Sequence, residues 1–96
     1  MNKLTDLELC KRIAEIDGLT AKESDCIHSL LIGKGSQEGR SLHCDLMIKY
    51  GVRVKFNDFD ACVGLATIQE LDIVSEFTCS KEKPRSILEC IVEANK

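Results

Sequence analysis

The sequence predicts an α+β fold, with four to five helices packed on a small sheet of two or three strands. Two observations support this: amphipathic segments with helical spacing lie at both ends of the chain, and residues 52–56 alternate strictly between apolar and polar. The 96 residues are enough for one domain with one core. We therefore predict a single domain, 1–96, with a helical part (1–32), a flexible glycine-rich loop (33–40) and an αβαβα part (41–96).

The first two helices are predicted from their start signals. Thr5 and Thr20 are each followed three residues later by a glutamate, the pattern of a capping box. Apolar residues at helical spacing follow the first box up to Gly18, which predicts a helix over about 5–17. The second box precedes one apolar stripe on a second helix, for which a strand over 30–32 is the alternative. This stripe consists of Cys26, Ile27, Leu30 and Leu31.

The region after the glycine-rich loop is predicted to begin with a helix and a strand. Ser41 is a suitable N-cap for a third helix, which Gly51 closes. The alternating segment 52–56 then has the period of a half-buried strand.

A fourth helix, a second strand and a last helix are predicted to follow. Asp58 or Asp60 caps the fourth helix, in which Phe59, Val63, Ala66 and Ile68 face inward. Residues 73–79 form the second strand, and Lys83-Pro84 opens the last helix. A strand–helix–strand order is compatible with a parallel pair joined by a right-handed crossover.

Charge is distributed unevenly along the chain. The net charge of −3 argues against nucleic acid as a bulk electrostatic partner. A nucleic-acid-associated regulator that uses the basic segment 34–55 is nevertheless one alternative. The basic residues of that segment are Lys34, Arg40, Lys49, Arg53 and Lys55.

The stretch 57–80 contains acidic residues and neither lysine nor arginine. We predict that its acids form a partner-binding surface, the alternative being that they fold against the basic segment. In that alternative, Glu76 would lie opposite Arg53 and Lys55 on the other strand. The predicted surface consists of Asp58, Asp60, Glu70, Asp72 and Glu76.

The glycine-rich segment 33–39 (GKGSQEG) has the composition of a phosphate-binding loop but not its spacing. It has one residue too many before the third glycine for a dinucleotide fingerprint, and it lacks the upstream glycine and the hydroxyl residue of a P-loop. Glu38 would also place a carboxylate beside a bound phosphate. We therefore interpret the segment as a connector.

Six cysteines are present, and none forms a C-x-x-C pair. No secretion signal is visible and no apolar run is long enough for a membrane span, so we expect a cytoplasmic protein with reduced, buried cysteines. A disulfide framework is the alternative. The cysteines are Cys10, Cys26, Cys44, Cys62, Cys79 and Cys90.

Cysteine and histidine are close together at two places, Cys26-x-His28 and His43-Cys44. They supply the ligand set of a zinc site, but their spacing differs from that of the usual ligand pairs. We expect Cys26 and Cys44 in the core and both histidines at the surface. No metal, cofactor or catalytic residue is predicted, so the chain is not expected to be an enzyme. A small metal-binding or catalytic Cys/His domain remains the alternative.

Four short segments resemble small accessory proteins of bacteriophages and prophages, of the NinX-like and phage ABA-sandwich kind. These segments are 4–9 (LTDLEL), 46–52 (LMIKYGV), 57–61 (NDFDA) and 83–87 (KPRSI). The resemblance implies an accessory protein of unknown function that binds a host or phage protein, as inhibitors of host defence such as anti-CRISPR proteins do. A homodimer, formed through apolar helical faces or an open strand edge, is a further expectation.

Overall fold

A computed structural model describes residues 4–96. Its helices are α1 (Asp6–Asp17), α2 (Ala21–Leu31), α3 (Gln37–Lys49) and α4 (Glu82–Ala94), and its strands are β1 (Arg53–Asp58), β2 (Val63–Ile68) and β3 (Ile73–Phe77). A short 3₁₀ turn, Gln69–Leu71, joins β2 to β3. The predicted α+β class is confirmed, with helices packed on a three-stranded sheet. Residues 1–3 of the predicted N-terminal part lie outside the described residues.

Both predicted capping boxes are present. The Thr5 hydroxyl accepts a hydrogen bond from the Glu8 amide at 3.2 Å, and the Glu8 carboxylate accepts one from the Thr5 amide at 3.1 Å. Thr20 and Glu23 repeat the arrangement at 3.2 and 3.0 Å. Each box satisfies two backbone amides that a helix start leaves without a partner, which fixes where α1 and α2 begin.

Glycines in the left-handed conformation end the first three helices. Gly18, Gly33 and Gly51 have φ angles of 66°, 85° and 67°. The amide after each glycine donates to the carbonyl five residues back: Leu19 to Ala14 at 3.1 Å, Lys34 to Ser29 at 2.8 Å and Val52 to Met47 at 2.9 Å. This is the Schellman arrangement, so the helix ends predicted at Gly18 and Gly51 are confirmed.

The third helix begins earlier than predicted. Ser36 is its N-cap, accepting from the Gly39 amide at 3.1 Å, so the prediction of Ser41 as the cap is wrong. Gly39 lies inside α3, where a Cβ atom would sit 2.6 Å from the Cys26 carbonyl oxygen. The connecting loop is therefore shorter than the predicted segment 33–40, since α3 already begins at Gln37. Because Gly39 has no side chain, α3 can pass close to α2 at this point.

The sheet is an antiparallel meander in the order β1-β2-β3. The predicted helix after Asp58 is wrong, since Val63–Ile68 forms the central strand. The parallel pair with which the predicted order was compatible does not occur, since both strand pairs are antiparallel. The Asp58 carboxylate accepts from the Ala61 amide at 3.2 Å and so stabilises a turn instead of a helix start. Both faces of β2 carry mostly apolar residues, which hides the alternation of a strand.

The sheet has an inner face against α4 and an outer face on the opposite side. Alternation along the paired strands assigns Val54, Phe56, Gly64, Ala66, Ile68, Ile73, Ser75 and Phe77 to the inner face. It assigns Arg53, Lys55, Val63, Leu65, Thr67, Val74 and Glu76 to the outer face. On the inner face, Ser86 of α4 donates to the Glu76 carbonyl at 3.0 Å, and the Cys90 thiol donates to the Ala66 carbonyl at 3.2 Å.

The core lies between α4, the sheet and the first two helices. Leu9, Ile13, Ile27, Leu88 and Ile91 are fully buried there. At its edge, the Arg85 guanidinium of α4 contacts the Asp6 carboxylate and the Leu4 carbonyl, and pairs with Glu89 at 3.1 Å. Arg85 thus joins the start of the described chain to its last helix.

Candidate interaction surface at the β1–β2 hairpin

The five acidic residues predicted as one partner-binding surface are all exposed, but the fold does not place them together. Asp58 and Asp60 lie at the connection between β1 and β2, whereas Glu70 and Asp72 lie at the connection between β2 and β3. These two connections are at opposite ends of β2, which is about 17 Å long. Glu76 lies on the outer face of β3. The acids therefore form separate features of the surface.

The expected pairing of Glu76 with basic residues of β1 does not occur between adjacent strands. β2 separates β1 from β3, and Leu65 lies between Lys55 and Glu76 in the same row. Two strand spacings, about 10 Å, separate the Lys55 and Glu76 backbones. The acidic stretch does fold against the basic strand, because β2 pairs with β1, but the expected position of Glu76 opposite Arg53 and Lys55 is wrong.

The connection between β1 and β2 is a structured turn with an exposed aromatic residue at its tip. The Asp58 carboxylate holds the Ala61 amide, and the Cys62 amide donates to the Phe59 carbonyl at 3.2 Å. Phe59, with 75% of its surface exposed, stands between Asp58 and Asp60. We call residues Asp58, Phe59 and Asp60 the hairpin tip.

The Phe59 ring is supported from below by two further aromatic rings. Its centroid lies 5.0 Å from that of Phe56 in an edge-to-face arrangement, and Phe56 makes a similar contact with Phe77 at 5.7 Å. The Lys83 ammonium lies 5.4 Å from the Phe56 centroid. Since Phe77 is buried, this row of rings connects the hairpin tip to the core and restricts the motion of Phe59.

Gly64 makes this row of rings possible. A Cβ atom at Gly64 would lie 2.2 Å from the Lys55 carbonyl oxygen and 2.9 Å from the Phe77 ring. Phe56 and Phe77 flank Gly64 in the sheet register, and the space that a side chain there would need is taken by the Phe77 ring and by backbone atoms of Lys55 and Phe56.

The exposure of Phe59 contradicts the prediction that it faces inward in a helix. Of the residues assigned to that helix face, Ala66 and Ile68 are buried as predicted, but in a strand. The signal that could have found the tip is the run Asn57-Asp58-Phe59-Asp60, because asparagine and aspartate favour turns.

The opposite turn of the sheet has a similar sequence but less support. Leu71, with 55% of its surface exposed, stands between Glu70 and Asp72. Asp72 has a φ of 56°, which allows the tight turn into β3. Leu71 thus offers a smaller apolar side chain than Phe59, in the same acidic setting.

The predicted locations of His43 and Cys44 are reversed in the structure. His43 is buried in α3, while Cys44 next to it is exposed. Neighbouring residues on a helix point about 100° apart, so the two cannot both face the core. The His43 Nε2 donates to the Pro84 carbonyl at 3.0 Å. Burial is the main cause that lowers the pKa of His43. The hydrogen bond to Pro84 raises this pKa, and the positive charge of Lys83 lowers it further.

The cysteines differ widely in exposure, so the expectation that all are buried is wrong. All six are free thiols: Cys10 and Cys90 are buried, whereas Cys44 and Cys79 are exposed. Burial raises the pKa of Cys10 and of Cys90 to about 11, so neither is an activated nucleophile at neutral pH. Among residues 4–96, no three His, Cys, Asp or Glu side chains are grouped so that they could hold a metal ion.

The basic residues of 34–55 do not share one surface. Arg40 and Lys49 are nine positions apart on α3, which places them on opposite sides of the helix. Lys49 also pairs with Asp17 of α1, whose carboxylate accepts from the Tyr50 hydroxyl at 3.0 Å. Arg53 and Lys55 lie on the outer face of the sheet. A continuous basic stripe for a nucleic-acid backbone is therefore not formed by this segment.

A groove of about 550 Å³ lies between α1 and the end of α4. Its apolar part includes Leu4, Ile16 and Val92, and its rim carries charged residues. Two rim carboxylates are engaged in ion pairs, Glu89 with Arg85 and Glu93 with Lys96. The groove is therefore of mixed character, without an excess of one charge that would define a ligand.

The fold and the surface define a class: a small α+β domain with an antiparallel meander, helices on one face and an aromatic residue at a hairpin tip. Comparison of the chain with protein-family models, with curated proteins and with solved structures gave no match. Within residues 4–96, no helix combines the length and the apolar character that a membrane crossing requires.

Proposed function

We propose that this chain is a small, non-enzymatic accessory protein that acts by binding another protein through its hairpin tip. The single observation that carries the proposal is the position of Phe59, which is 75% exposed yet supported by the rings of Phe56 and Phe77. Aromatic side chains dominate the energetics of protein interfaces, and leaving one exposed to water forgoes the stabilisation of burying it.

The supported ring favours binding in a second way. Ordering a side chain on association costs about 0.5–1.5 kcal/mol, and a ring already held by its neighbours loses less freedom. The turn beneath Phe59 is likewise fixed by the Asp58 carboxylate and by the Cys62 amide. The hairpin tip is therefore organised before a partner arrives.

The chemistry of the tip specifies the kind of partner. Phe59 would enter an apolar pocket, and the carboxylates of Asp58 and Asp60 would meet lysine or arginine side chains at the pocket rim. Of the predicted acidic surface, these two residues form the main contact in this proposal, whereas Glu70, Asp72 and Glu76 lie elsewhere.

The resemblance to phage and prophage accessory proteins supports a biological setting for this proposal. In that setting the protein works in the bacterial cytoplasm, and its partner is a host or phage protein. A component of a host defence system such as CRISPR is the partner that we test first, since small phage proteins that bind such components inhibit them.

The experiment is affinity capture from a bacterial host, with quantitative mass spectrometry of the retained proteins. We compare the wild type with Phe59→Ala and with the double variant Asp58→Lys/Asp60→Lys. The matched control is Leu71→Ala, which removes an exposed apolar residue between two acids at the opposite turn. Circular dichroism establishes that each variant is folded.

The expected result is a partner retained by the wild type and by Leu71→Ala, and reduced at least about tenfold by either change at the tip. Retention that is equal for all folded variants would show that the tip is not the contact. A partner lost with Leu71→Ala alone would move the contact to the other turn.

A further inference from the structure

Within residues 4–96, the outer face of the sheet is a second exposed surface, opposite the face on which α4 packs. The main helix contacts of β2 and β3 come from α4, which lies on the inner face. On the outer face Val63, Leu65 and Thr67 of β2 remain half-buried, and Val74 of β3 has 58% of its surface exposed. Antiparallel sheets commonly expose one face, so the apolar residues at the centre of this face do not by themselves identify a binding partner.

The arrangement of charge across this face is more specific. One row of the sheet reads Lys55, Leu65 and Glu76 from β1 to β3, and the next row reads Arg53, Thr67 and Val74. The β1 side of the face is therefore basic and the β3 side has an acid, with uncharged side chains between them. A partner of uniform charge would be repelled on one side of this surface.

We propose that a second copy of this chain packs against the outer face, related by a two-fold axis parallel to the strands. Rotation about such an axis places β1 of each copy opposite β3 of the other, while β2 faces β2. Because Lys55 and Glu76 share one row, each Lys55 then lies opposite the Glu76 of the other copy. Leu65 faces Leu65 at the centre. The row of Lys55, Leu65 and Glu76 is thus complementary to itself in both charge and apolar character.

The size of this surface sets the strength of the dimer. Three strands about 4.8 Å apart and about 17 Å long give a footprint of about 250 Å² per copy. Stable interfaces bury about 800 Å² per partner, so the contact belongs to the weak class, and side chains beyond the footprint add to it only partly. The fraction of the protein that is dimeric therefore depends on the protein concentration.

The test is sedimentation equilibrium of the purified chain from about 10 μM to about 1 mM, where weak association is measurable. We compare the wild type with Lys55→Glu, with Glu76→Lys and with the charge swap Lys55→Glu/Glu76→Lys. Lys22→Glu, at an exposed position of α2, is the control for the change in net charge. Circular dichroism again establishes folding.

Each single reversal places like charges together at both symmetric contacts, so it should raise the dimer dissociation constant about tenfold or more. The charge swap should restore the wild-type value, and Lys22→Glu should leave it unchanged. A wild type that is monomeric throughout would overturn the proposal. A dimer that neither reversal weakens, or that the swap fails to restore, would also overturn it.

The hairpin tip provides an independent check. Phe59→Ala should leave the dimer dissociation constant unchanged, because Phe59 lies beyond the paired part of the strands. Loss of the dimer in Phe59→Ala would overturn the assignment to the outer face. The dimer and the proposed function can therefore fail separately.

Discussion

His43 of α3 and Pro84 of α4 are joined by a hydrogen bond from the imidazole Nε2 to the carbonyl oxygen, over 3.0 Å. The buried ring lies near the Lys83 ammonium, and burial is the main cause of its lowered pKa. His43 is therefore neutral in the folded protein at a pH where an unfolded histidine already binds a proton.

We expect stability to decrease on acidification for this reason. Below pH of about 6.5, the ordinary pKa of histidine, the unfolded state takes up a proton that folded His43 binds only at lower pH. The free energy of unfolding of the wild type should thus fall between pH 7 and pH 5 in urea titrations. His43→Gln should show a smaller slope over this range, and an equal slope would show that other groups cause the effect.

Gly64→Ala should destabilise the protein strongly. The added methyl group would meet the Lys55 carbonyl oxygen at 2.2 Å, and a backbone atom in a sheet cannot move aside. We expect a loss of at least about 2 kcal/mol in the free energy of unfolding, measured by urea denaturation.

Gly35→Ala is the matched control for Gly64→Ala. Its Cβ would lie 2.7 Å from the Leu30 Cδ1, the end of a side chain that can adopt another rotamer. It should cost clearly less than Gly64→Ala. Equal costs would mean that the close approach at Gly64 does not determine the effect.

Arg85→Met should destabilise the protein because it removes the contacts with Asp6, Glu89 and the Leu4 carbonyl. Methionine keeps much of the apolar stem, so the change tests mainly the guanidinium. For a largely buried group with charged partners, we expect a loss of about 1–3 kcal/mol in the free energy of unfolding.

Lys96→Met, measured alongside in urea denaturation, is the control for Arg85→Met. It removes an ion pair with Glu93 in which both side chains are exposed, and should change the free energy of unfolding by less than about 0.5 kcal/mol. An Arg85→Met cost as small as that of Lys96→Met would show that the link between α4 and the start of α1 contributes little.

Thiol labelling with Ellman's reagent should separate the cysteines by exposure. At neutral pH, Cys44 and Cys79 should react first. Cys10 and Cys90 should react only after denaturant unfolds the core, because they are buried and burial raises the pKa of each to about 11. Peptide mapping identifies the labelled residues, and early labelling of Cys90 would contradict its packing against the sheet.

Features encoded by neighbouring residues could be predicted from the sequence. The capping boxes at Thr5 and Thr20 and the helix ends at Gly18 and Gly51 depend on contacts within about five residues, and each is confirmed. Ser36, the N-cap of α3, lies between Gly35 and Gly39, and this glycine-rich composition is typical of a loop, so the sequence does not identify the cap.

Features that depend on packing could not be predicted in the same way. β2 has apolar residues on both faces, so its period does not distinguish a strand from a helix. The exposure of Phe59 follows from the turn at Asp58, and the burial of His43 from the placement of α4 beside α3. The placement of α4 is not encoded in the local sequence, whereas the turn at Asp58 has a local signal in the run 57–60 that the apolar spacing of residues 59–68 obscures.

Gly64 also bears on how substitutions would accumulate in chains descended from the same ancestor. Selection for folding alone would retain glycine at position 64, since a Cβ atom there would meet backbone at 2.2 Å. The Phe59 side chain is mostly in water, so folding alone would permit polar replacements at position 59. An invariant glycine at position 64 would therefore be explained by the requirements of folding. An invariant phenylalanine at position 59 would instead indicate that binding to a partner has been maintained.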